Sequence, residues 1–60
     1  MYEDLIDKKI KCVWKDGDTS KAVYGFVKAI DDIFLTMLTD KDNSILRIAI
    51  NTIITIKVVE

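Results

Sequence analysis

The chain has 60 residues, half of them apolar, with nine Lys and Arg against ten Asp and Glu, a formal net charge of −1, no histidine, no proline and one cysteine. A chain of this length forms one domain and removes only about 60% of its unfolded surface from water, so its core is small and part of its apolar surplus is expected to meet another chain. Near-neutral charge leaves no global field to attract nucleic acid, although a local basic patch is compatible with it, and the lack of histidine and of a second cysteine removes zinc-site spacing and any internal disulfide.

The opening MYEDLID sets carboxylates ahead of Leu5 and Ile6, which predicts a short N-terminal helix of two turns at most, with acids near its positive end. Acid followed by base in MYEDLIDKKIK is unlike a secretory leader. No stretch approaches the roughly 20 apolar residues of a membrane span, so a cytoplasmic protein with no membrane partner is expected. From Ile10 the period becomes two. Ile10, Cys12 and Trp14 share one face and Lys11, Val13 and Lys15 the other, which predicts a half-solvated first strand in which Cys12 is a buried, inert thiol. Trp14 on that apolar face reads as core or as a subunit contact. Lys8, Lys9, Lys11 and Lys15 read as a solvated strand face.

Asp16 and Gly17 carry turn chemistry, since glycine takes positive φ without steric cost, and the polar residues after them predict an extended hairpin loop. The second strand is then AVYGFVKAI, residues 22–30. Gly25 inside it marks a bulge, a sharp bend or the close approach of another backbone. Tyr24 and Phe26 alternate against Val23, Gly25 and Val27, which places them outside beside Lys28 and suggests a protein interface or, less well, a single-strand nucleic-acid surface. IFLTMLT predicts a third strand and DKDNS a turn. ILRIAI and TIITIKVV predict the fourth and fifth strands, divided at Asn51 and Thr52. One short helix followed by five short strands predicts an all-β fold, a strongly bent SH3-like barrel, because a curled sheet lets one core serve every strand.

Asp31 and Asp32 stand together just before the third strand. Acid–base work by paired carboxylates needs a pocket, divided environments and partners such as His, Arg or a metal, and neighbouring turn residues point apart. The nearby Asp40, Asp42 and Asn43 lack the glycine and terminal glutamate of a calcium loop. The pair is therefore expected to make a tight turn, with one carboxylate capping backbone N–H groups. Cys12 has no histidine to activate it, so no enzyme, metal or cofactor is expected.

Taken together, LIDKKIKCVWKDG, YGFVKAIDDIFLTML and LRIAINTIITI resemble the Sm-like (LSm/Hfq-like) family over nearly the whole chain. In that family a strand glycine is followed by an aspartate, an aromatic two residues on, and an apolar–Asn–apolar run. Gly25, Asp32, Phe34 and Leu35-Thr36-Met37 are similar to this pattern, with Thr36 where Asn is common and one extra residue between Gly25 and Asp32. The second motif pairs a basic residue with an apolar turn into the last strand, and Arg47 stands at the basic position. Ile48 replaces the histidine of the Hfq branch. The glycine that follows the basic residue in Sm proteins is absent, and the loop after Gly17 reads as longer than usual.

The resemblance implies a short N-terminal helix, a five-stranded Sm-like barrel, and homo-oligomeric rings of six or seven subunits joined through the fourth and fifth strands. It also implies binding of uridine-rich or adenosine-rich single-stranded RNA. Phe34 would then be a stacking platform, Thr36 a hydrogen-bonding group on a base edge, and Arg47 a contact to base or phosphate. The fifth strand fits such assembly physically, since an apolar edge left bare is an aggregation hazard that a neighbouring copy would cover. The competing expectation is a small-barrel module that binds protein or itself and leaves nucleic acid alone.

Overall fold

A computed structural model describes residues 3–59. Its strands are β1 Lys9–Asp16, β2 Thr19–Ile30, β3 Phe34–Thr39, β4 Ile45–Ala49 and β5 Ile53–Val58. They form one antiparallel sheet in the order β4-β3-β2-β1-β5. No α-helix occurs among the described residues, and none is long and apolar enough to cross a membrane.

The expected N-terminal helix begins on Met1 and Tyr2, outside the described residues, and over the rest only a 3-10 turn forms, Glu3–Leu5. The strand beside it explains the difference. Ile6 bridges Val27, the Asp7 N–H donates to the Val27 carbonyl at 2.7 Å, and Asp7 takes a φ of +68°, so β2 claims backbone groups that a second helical turn would use. So short a segment has no intrinsic helical stability with which to resist.

The hairpin loop is also shorter than its polar residues suggest. β1 runs to Asp16, pairs there with Thr19, and turns through Gly17 and Asp18 alone. Gly17 has φ +65°, the conformation a two-residue hairpin asks of its first central residue. Thr19, Ser20 and Lys21 thus belong to the strand. Their polarity reflects exposure at this end of the ribbon, where Lys21 pairs with Asp16 at 3.0 Å.

One face of the sheet holds the core. Ile10, Cys12, Val27, Leu35, Met37 and Ile48 are each 2% exposed or less, and Leu5, Trp14, Val23, Leu46 and Ile56 pack against them. Gly25 lies opposite both Ile10 and Thr39. A Cβ there would collide with the Leu38 carbonyl oxygen and lie 3.0 Å from the Thr39 Cα, so glycine is what lets β3 lie this close to β2. Lys28 is the extra residue of a register shift between Val27 and Ala29, a second device that bends β2.

The two edge strands are consecutive in the chain. β4 and β5 are joined only by the 3-10 turn Ile50–Thr52. Across a flat five-stranded sheet the edges would stand about 19 Å apart at the usual strand spacing, whereas three residues of 3-10 helix rise about 6 Å. The sheet therefore curls, bringing its edges towards each other without hydrogen-bonding them into a closed ladder.

Candidate nucleic-acid interface

Alternation along β3 turns Leu35, Met37 and Thr39 into the core and Phe34, Thr36 and Leu38 outward. Arg47 on β4 is the direct cross-strand partner of Thr36. Phe34 is its diagonal neighbour, and the guanidinium carbon lies 4.4 Å from the centre of the Phe34 ring, a cation–π contact. The structure thus brings Phe34, Thr36 and Arg47 together on one solvent-facing surface.

The turn before β3 sets this arrangement. The Asp31 carboxylate accepts hydrogen bonds from the N–H groups of Phe34 at 2.7 Å and Ile33 at 2.8 Å, and the Asp31 N–H donates to the Phe34 carbonyl at 3.0 Å. These bonds fix the backbone from which Phe34 projects. The Phe34 and Ile33 N–H groups hold the Asp31 carboxyl below the usual carboxylate range, and the nearby charge of Arg47 adds to the effect. Asp32 lies within this loop with its side chain exposed, and it is the Asp31 carboxylate that caps the N–H groups.

The same outward face continues across the other strands. Lys11 faces Tyr24 across β1 and β2, with its ammonium 5.8 Å from the ring centre, and Lys57 on β5 is the next partner in that row. Lys9 faces Phe26, which faces Leu38, which faces Ile45. Five of the nine basic residues, Lys9, Lys11, Lys15, Arg47 and Lys57, occupy outward strand positions. Among the described residues no carboxylate does, since Asp16 ends β1 on the opposite face and the other aspartates lie in turns and connections. A nearly neutral chain has therefore segregated its charge, and three aromatic rings lie among the cations.

Sequence reading places Lys28 beside Tyr24 and Phe26. The bulge instead carries it to a 3.8 Å pair with Asp7, and Lys11 takes the place over the Tyr24 ring. The β3–β4 turn borders the same region. Asp42 accepts from the hydroxyls of Thr39 at 2.5 Å and Ser44 at 2.7 Å, which lowers its pKa, and Asn43 takes the left-handed conformation that closes the turn. Beside it, a groove of about 320 Å³ is lined by Lys9, Ala22, Val23, Tyr24, Asp40 and Lys41.

On the other face Cys12 is fully buried, and burial pushes its thiol up to about 11, so it is protonated at neutral pH. No three His, Cys, Asp or Glu side chains gather in a metal-binding group among the described residues. Comparison with known proteins gives no matching family profile, no matching characterised protein and no matching solved structure.

Proposed function

We propose that this chain is a single-stranded RNA-binding module of Sm-like architecture, without catalytic activity, that assembles with copies of itself through its two sheet edges. The observation that carries the reading is the Arg47–Phe34 stack with Thr36 beside it, set on a face that also carries Tyr24, Phe26 and four lysines and, among the described residues, no carboxylate at an outward strand position. Nucleic acid suits such a surface because phosphates meet the cations and every base has a π-face to stack. At 4.4 Å the guanidinium leaves no space for a base between itself and the ring. A base meets the exposed guanidinium first, and rotation of that long side chain uncovers Phe34. The Thr36 hydroxyl offers one donor where an asparagine amide offers donors and an acceptor, so base selection is loose.

The support lies in this geometry more than in the motif. Asp31, the carboxylate that organises the turn, removes the extra residue counted after Gly25. The family's aromatic position then falls on Ile33, 64% exposed, and its asparagine position on Leu35, 1% exposed, neither of which can read a base.

Self-assembly has separate support. Ile45 on β4 and Ile54 on β5 are 62% and 59% exposed, on strands that each lack a neighbour on one side. A curled SH3-like sheet whose edges do not pair with each other presents two complementary ladders, and head-to-tail pairing between copies closes a ring when the rotation fits.

Fluorescence anisotropy with labelled oligo(U) and oligo(A) tests the function. Binding that weakens as salt rises is expected, with Arg47→Ala losing roughly tenfold or more. Absence of binding to either oligonucleotide at low salt overturns it. Light scattering tests assembly: a ring of six or seven copies is expected, Ile54→Lys should release monomers, and a monomeric parent chain overturns the edge-pairing part.

A further inference from the structure

We infer that the groove beside Tyr24 is a second nucleotide subsite, so that one strand of RNA lies along the outer face from Phe34 to Tyr24. This rests on the RNA-binding reading above and extends it to residues outside the Arg47 cluster. The Asp40 N–H donates to the Tyr24 carbonyl at 2.9 Å, which sets Tyr24 level with Asp40, six residues along the β3 direction from Phe34 and one strand over. At the usual rise per residue the two aromatic positions are about 20 Å apart.

β3 ends at Thr39, so the β2 edge from Thr19 to Val23 runs on without a β3 partner, and the groove opens against it. Tyr24 is 47% exposed and supplies a ring for a base, with Lys11 held over that ring. Lys11 and Lys41 supply positive charge for phosphate, and Asp40, paired to Lys9 at 3.1 Å, supplies an acceptor for an N–H on a base edge. An anionic strand is the occupant that suits this charge pattern. An acidic peptide would be drawn by the same cations, but it would not require two flat rings set a strand's length apart.

A stacked single strand rises about 3.4 Å per nucleotide, so roughly six stacked nucleotides, or fewer extended ones, bridge the two subsites. Affinity is therefore expected to depend on length. For the parent chain, a 12-nucleotide oligo(U) or oligo(A) should bind at least 100-fold tighter than the 3-nucleotide form, as linked subsites do. In Tyr24→Ala the ratio should fall to about tenfold, the gain expected merely from many registers along the longer strand, while Tyr24→Phe keeps the parent ratio because the ring remains. Lys41→Ala should reduce the salt slope by about one.

A parent-like ratio in Tyr24→Ala overturns the second subsite, as does an equal loss at both lengths. Oligonucleotide binding would then persist and the Arg47 reading would stand. If the parent chain binds no oligonucleotide of either length, both readings fall together. Thermal melting of Tyr24→Ala close to the parent's shows that any change in ratio comes from the surface rather than from unfolding.

Discussion

Leu35 and Thr36 are neighbours in β3, yet Leu35 is 1% exposed within an aliphatic core while Thr36 faces outward across from Arg47. The contrast holds across the sheet. Inward positions carry mainly Ile, Val, Leu, Met and Cys, with Trp14 packed against them and Thr39 buried and hydrogen-bonded to Asp42 and Ser44. Outward positions carry Tyr24, Phe26 and Phe34 among five cations, beside apolar residues such as Val13 and Leu38. One surface is set by packing, while the other presents rings and charges outward.

Gly25→Ala strikes the packing side hardest. Its new methyl meets the Leu38 carbonyl, a backbone atom that cannot step aside without parting β2 from β3. A loss of about 3 kcal/mol or more is expected, against a total of about 3–9 kcal/mol for a domain of this size. Urea unfolding measures it. Met37→Ala, which empties a fully buried site, should cost about 2–4 kcal/mol by the same measurement.

Arg47→Ala belongs to the other face. It removes an exposed cation–π contact worth about 0.5–1 kcal/mol to folding but should weaken RNA binding about tenfold. A destabilisation as large as that of Met37→Ala would break the division between faces. The smallest effect is expected from acid. Asp31 and Asp42 have folded-state pKa values held below those of the unfolded chain, so their contribution is fully present above about pH 4 and is lost as pH falls through the lowered values. Asp31→Asn should flatten part of the acid limb in a stability–pH profile by lowering stability in the neutral region, where the carboxylate contributes, while leaving the acid end little changed.

Much of the inward face was legible from period two alone. Ile10, Cys12 and Trp14, and Leu35 and Met37, alternate cleanly in the sequence, and Gly25 announces a bulge, a bend or a close backbone approach, of which the structure shows the last at that position. The second strand's beginning was not legible, because Thr19, Ser20 and Lys21 have the composition of a loop and only the two-residue turn makes them strand. That misreading hid the Lys11–Tyr24 pair, since partners across a hairpin follow by counting outward from the turn. Gly17 was the available clue. Phe34, Thr36 and Arg47 share a face by alternation and by the register of β3 with β4, but the choice between Asp31 and Asp32 depended on which carboxylate reached the Phe34 N–H. The register shift at Lys28 carries no marker in the residues around it.

β1 has one neighbour joined by two residues and another, β5, that arrives after β2, β3 and β4. Loop-closure entropy makes the second pairing more costly by about 2.5 kcal/mol than the first. The β1–β2 ribbon can zip within microseconds, while β5 is expected to dock after it. Weakening β5 should then hasten unfolding and leave the refolding rate almost untouched.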